Sequence, residues 1–83
     1  MTTLINEIIT ISKYVDFPIE ITSKRTNITY LIAKIDENAI YYKEKHGSSY
    51  TNVHDAPLIN WNKFFLSQLK KELELKQRNI WDD

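Results

Sequence analysis

From Asn27 to Lys45 the chain reads NITYLIAKIDENAIYYKEK, and its apolar residues follow a two-residue period. Ile28, Tyr30 and Ile32 share one face of an extended segment and Leu31, Ala33 and Ile35 the other, because successive strand side chains point to opposite sides. Both faces are apolar, as expected of a central strand with a cover on each side. Ala39 to Lys45 forms the returning strand, rich at first in aromatic and β-branched residues and polar at its end. Asp36-Glu37-Asn38 then reads as a three-residue hairpin loop, with Asn38 in the left-handed conformation such loops need at their last position.

The flanking segments change period. Leu4, Ile8, Ile11 and Val15, with Ile5 and Ile9 beside them, recur at helical spacing, and Thr2 or Thr3 suits the N-cap. Ile8-Ile9-Thr10-Ile11 is β-branched and also compatible with a strand. Asp16-Phe17-Pro18 ends this helix, since proline disfavours the helical region for the residue before it. Phe17, Ile19 and Ile21 alternate with Glu20 and Thr22 and predict a half-buried edge strand, and Ser23 to Thr26 a solvated connection.

After the hairpin, His46-Gly47-Ser48-Ser49 predicts a turn, Tyr50 to Val53 a short fourth strand with a loop as the alternative, and His54-Asp55-Ala56-Pro57 a break. Trp61, Phe64, Phe65, Leu69 and Leu73 mark one face of a final helix capped by Asn60. Extended to Trp81 it would be about 30 Å long and would leave Ile80 and Trp81 exposed. The fold expected is α+β: a small antiparallel sheet of three or four strands flanked by an N-terminal and a C-terminal helix, in a single domain over residues 1–83. With the C-terminal helix across one face, the first helix either covers part of the second face or shares the first, which leaves Ile28, Tyr30, Ile32 and the tyrosines open to a partner or a second copy.

At 83 residues the chain buries about 60% of its unfolded surface, a small core. It has no Cys, so neither disulfides nor thiolate metal sites reinforce it. Glu7 interrupts the N-terminal apolar run and no run reaches transmembrane length, so a cytoplasmic protein with no membrane partner is expected. Asn27-Ile28-Thr29 matches a glycosylation sequon, which has no role on that route. Eleven basic and eleven acidic side chains cancel, which argues against strong non-specific binding to nucleic acid or anionic membrane. Abundant Ile, Lys and Asn point to an AT-rich genome, as in Gram-positive bacteria and their phages.

Chemistry has few candidates. His46, His54 and Asp55 supply neither a full metal ligand set nor a positioned nucleophile, and one glycine cannot make a phosphate loop. The expectation is a non-enzyme without metal or cofactor. Tyr30, Tyr41, Tyr42 and Tyr50, interleaved with Lys34, Lys43 and Lys45, could stack single-stranded bases, but Asp36, Glu37 and Glu44 dilute that field. Trp81 is either a binding anchor or a terminal residue folded back on the domain. Lys70-Lys71 with Glu72 and Glu74 reads as a solvated helix face.

Leu4-Ile5-Asn6-Glu7-Ile8 and Ile28-Thr29-Tyr30-Leu31-Ile32-Ala33-Lys34-Ile35 resemble the first helix and second strand of the small phage anti-CRISPR proteins that inhibit the RNA-guided nuclease of type II CRISPR systems. The resemblance spans roughly the first half of the chain. It implies that Asp36, Glu37 and Asn38 occupy the nuclease's site for the DNA motif flanking the target. That family is strongly acidic and this chain neutral, which shifts the expectation from a DNA mimic to an inhibitor occupying a surface of a larger host protein. The partner-binding residues expected are Asp36, Glu37, Asn38, Tyr30, Tyr41, Tyr42 and Trp81. Rival readings are a homodimeric structural or regulatory module and, with less support, a nucleic-acid binder using the tyrosines with Lys24, Arg25, Lys34, Lys43 and Lys45.

Overall fold

In the computed structural model, which describes residues 2–77, the order is helix α1 (Thr2–Ser12), strands β1 (Ile19–Thr22), β2 (Thr29–Asp36), β3 (Ala39–His46), β4 (Ser49–Tyr50) and β5 (His54–Pro57), a 3-10 turn (Leu58–Asn60) and helix α2 (Lys63–Lys76). The fold is α+β, two helices on a small antiparallel sheet. β1 pairs with β2, β2 with β3, and both β4 and β5 with the far edge of β3.

The fourth strand is therefore one interrupted strand. Lys45 pairs with Tyr50 and Tyr42 with His54, while Thr51 to Val53 bulge out between. Thr51 anchors the bulge, its N–H donating to the Glu44 carbonyl at 2.9 Å and its Oγ1 accepting from the Glu44 N–H at 2.9 Å. This corrects both expectations for the segment: the strand read at Tyr50–Val53 stops after Tyr50, and the break read at His54–Pro57 is a strand. His, Asp and Pro are poor strand formers, but the free edge of β3 supplies partners that outweigh local propensity. Pro57, which has no N–H to give, sits at the end of an edge strand.

α1 ends at Ser12, earlier than its periodicity suggested. Ser12 Oγ donates back to the Ile9 carbonyl at 2.7 Å, and successive 3-10-type bonds tighten the chain to Val15. Val15 is buried as expected, but from an extended bridge with Gln77 rather than from the helix. The Phe17–Pro18 peptide is cis, and the strand that follows begins at Ile19.

α2 is also shorter than expected. Leu58 to Asn60 forms the 3-10 turn, and the cap is Asn62, whose Oδ1 accepts from the Phe65 N–H at 2.8 Å, in place of Asn60. Trp61 thus precedes the helix. The helix stops at Lys76, because Gln77 turns extended to meet Val15. Ile80 and Trp81 lie outside the described residues.

Both helices lie on one face of the sheet, running alongside one another with Lys70 Nζ 2.7 Å from the Glu7 carboxylate. Ile8, Leu66, Leu69 and Leu73 from the helices meet Ile19, Ile21, Ile32 and Ile40 from the strands, all buried. Each such side chain contributes about 1.5–3 kcal/mol of apolar burial.

Candidate protein-binding surface

The opposite face of the sheet has no helix over it among the described residues. Its membership follows from register, since directly paired residues point the same way. Ile32 pairs with Tyr42 and Ile35 with Ile40, while Lys34 pairs with Tyr41, so Ala33 is an extra residue in β2. This bulge turns Ile35 onto the side of Ile32. Tyr30, Ile32, Ile35, Ile40 and Tyr42 consequently all pack toward the helices. Sharing a face between the helices does leave the other open, as one expectation held. What lies open, however, is Leu31, Tyr41 and Tyr50, not Tyr30, Ile32 and Tyr42.

Around Leu31 the open face carries Thr22 and Thr29, whose hydroxyls are 2.8 Å apart, together with Glu20, Lys43, Lys45 and Tyr50. The Tyr50 hydroxyl donates to Glu20 Oε2 at 2.6 Å. Tyr50 belongs to β4 and Glu20 to β1, the two outer strands, so this bond reaches across β2 and β3. It raises the Tyr50 pKa, since the protonated phenol is the donor. Lys45 Nζ stands 5.9 Å from the Tyr50 ring centre. Lys34, Lys43 and Lys45 are balanced on this face by Glu20, Asp36 and Asp55.

The β2–β3 hairpin extends the face at one end. Asp36 pairs with Ala39, so the loop has two residues, Glu37 and Asn38, in place of the three expected. Glu37, at φ 51°, takes the left-handed position expected for Asn38. Asn38 instead ties the hairpin down, its carbonyl accepting from the Leu58 N–H at 2.6 Å. Asp36, Glu37 and Asn38 are all exposed. Lys34 Nζ lies 3.8 Å from the Asp36 carboxylate and 4.5 Å above the Tyr41 ring, which joins the tip to the open face.

Tyr30 and Tyr42 have another place. With Trp61, Phe65 and His54 they form an aromatic cluster at the rim of the covered face. The Trp61 ring stacks on Phe65 at 4.7 Å and meets Tyr42 edge-on at 5.1 Å. Burial raises the pKa of both tyrosines, and the nearby Glu44 carboxylate adds to it. The Trp61 Nε1–H is buried without a hydrogen-bond partner among the described residues. Trp81 lies outside the described residues.

The histidines and Asp55 do not converge. His54 faces Tyr42 on the helix side of β5, while Asp55 pairs with Tyr41 on the open side. His46 Nε2 is 3.6 Å from Glu44. Among the described residues no group of three His, Cys, Asp or Glu is placed to hold a metal, and no helix is long and apolar enough to cross a membrane.

Sequence reasoning named neither Glu20 nor Leu31 among the partner-binding residues: alternation put Glu20 on the polar side of its strand, but Leu31 read as one side of a strand apolar on both, and its pairing with Glu20 joins separate segments. No protein-family model, no curated protein and no solved structure matches this chain.

Proposed function

We propose that this chain is a non-catalytic, cytoplasmic protein-binding module that acts by occupying a surface of a larger protein. The observation that carries the reading is the one-sided sheet, whose open face presents Leu31, Tyr41 and Tyr50 beside the exposed Asp36–Asn38 tip. Tyrosine is suited to interfaces, where a large ring is buried while its hydroxyl keeps a polar partner. The balanced charges of the face favour a protein over a polyanion, which would call for an excess of cations. Both sheet edges suit contact through the face better than strand addition: β1 has only four residues, and the β4–β5 edge is interrupted and ends in proline. Glu37 adds support, since a non-glycine residue held at positive φ on an exposed tip is the kind of backbone outlier found at contact sites. The resemblance to phage inhibitors makes an RNA-guided nuclease a first partner to try, with inhibition as the mode of action.

The test is a pull-down from bacterial lysate with the tagged protein and with a Leu31→Glu/Tyr41→Glu variant, alongside light scattering of each. A protein retained by the wild type and lost by a variant with unchanged circular dichroism supports the reading. Equal retention by both refutes the open face as the interface. A stable dimer that retains nothing replaces the reading with self-association.

A further inference from the structure

The chain's zero net charge is unevenly spread, and the imbalance surrounds an apolar groove. Ser23, Lys24 and Arg25 form one wall, and Phe64, Gln68, Lys71, Glu72 and Leu75 of α2 the other, around a volume of about 420 Å³. The walls are fixed to each other. Gln68 Nε2 donates to the Thr22 carbonyl at 2.6 Å, and its Oε1 accepts from the Lys24 N–H at 3.1 Å. Asn27, at φ 60°, closes the turn by donating its N–H to the Ser23 carbonyl at 2.8 Å.

Two large apolar side chains line the groove without being buried: Phe64 is 55% exposed and Leu75 82%. Along α2 they are eleven residues apart, a stripe about 16 Å long. The Arg25 guanidinium lies 4.5 Å from the Phe64 ring centre and Lys63 Nζ 5.7 Å from it. Lys24, Arg25, Lys63 and Lys71 stand here against one carboxylate, Glu72. None of these four cations makes an ion pair among the described residues, whereas Lys34 and Lys70 do.

From this charge complementarity we propose that the groove binds an acidic, amphipathic peptide segment of a partner protein. The segment places apolar side chains against Phe64 and Leu75 and carboxylates on Arg25, Lys24 and Lys71. Stacked on Phe64, the Arg25 guanidinium is held for bidentate contact with a carboxylate. An extended segment of about five residues spans the stripe. Single-stranded nucleic acid fits less well: Arg25 already occupies a position over Phe64, and Leu75 offers no stacking surface. The groove belongs to the helix side of the molecule, so this site is separate from the open sheet face.

The experiment follows backbone amides of the full chain by NMR during titration with a synthetic peptide, Glu-Trp-Glu-Glu-Glu-Leu-Glu, whose Trp and Leu share one side of an extended chain, with its Lys-for-Glu counterpart and with a short oligothymidylate. Shifts at Lys24, Arg25, Phe64, Lys71 and Leu75 with the acidic peptide, absent with the basic one, are expected. Arg25→Glu/Lys71→Glu, both exposed, should weaken this binding at least about tenfold with the fold unchanged, as expected for lost charge-assisted contacts. Absence of shifts at those residues overturns the proposal. Equal or stronger shifts with the oligothymidylate overturn it in favour of nucleic acid. A concentration-dependent dimer abolished by Phe64→Ser/Leu75→Ser overturns it in favour of a second copy. Since Leu31→Glu/Tyr41→Glu alters only the sheet face, peptide binding that survives this variant separates the outcome here from that of the sheet-face interface.

Discussion

Replacing Glu37 with glycine should stabilise the fold. At φ 51° this residue occupies the left-handed region, where an L side chain costs about 1–2 kcal/mol. Glycine relieves that cost but returns about 0.5–1 kcal/mol through the greater freedom of its unfolded chain. The Glu37 side chain is exposed and makes no hydrogen bond or ion pair among the described residues, so little else is lost. The net gain expected is about 0.5–1 kcal/mol, or roughly 3–6 °C in Tm for a domain of this size. Urea and thermal unfolding followed by circular dichroism would measure it. Glu37→Ala is the control: it removes the same carboxylate while keeping a Cβ at positive φ, and should leave stability nearly unchanged. Partner binding through the tip should fall in both variants, although only the glycine variant gains stability. A destabilised Glu37→Gly would refute the argument and point to a stabilising contact of the glutamate. A gain of equal size from Asn38→Gly would refute the two-residue loop.

Ile40 is fully buried at the centre of the sheet, and Ile40→Ala should cost about 2–5 kcal/mol in urea unfolding; a loss below about 1 kcal/mol would contradict the placement of the core. Trp61→Phe removes a buried N–H that has no partner among the described residues while retaining a ring against Phe65, so its effect should stay within about 1 kcal/mol, against about 3–5 for Trp61→Ala. Equal losses in the two variants would show that the indole nitrogen has a partner. Tyr30 and Tyr42 should ionise above the ordinary tyrosine value of 10.0, because burial, and then Glu44, disfavour the phenolate. The folded state therefore holds their protons more tightly than the unfolded state. Their contribution is complete below pH 10.0 and is lost as pH rises through the raised values. Ultraviolet titration of the phenolate band should move to lower pH in Glu44→Gln; an unmoved curve would exclude the carboxylate as a cause.

Local pattern was enough to place most of the elements. The two-residue period of Ile28 to Ile35, its return at Ala39, and the helical spacings around Ile8 and Leu69 each report the nearest neighbours of a residue along one element. The Asp36–Asn38 tip was legible for the same reason, since turn residues act over a few positions. Contacts between distant segments decided the rest. The α2 cap moved to Asn62 because Leu58 docks into the core and bonds to Asn38. His54–Pro57 became a strand because β3 had an unpaired edge, which no property of that tetrapeptide announces. The bulge at Ala33 brought Ile35 to the side of Ile32, and with it Tyr42 faces the helices and Tyr41 the open side. The sequence by itself determined the class of fold, because periodicity and turn chemistry are properties of short stretches. Only the tertiary structure decided that both helices share one face, that Tyr50 reaches Glu20 across the other, and that Arg25 meets Phe64 at a groove, because these pairings join residues remote in the chain.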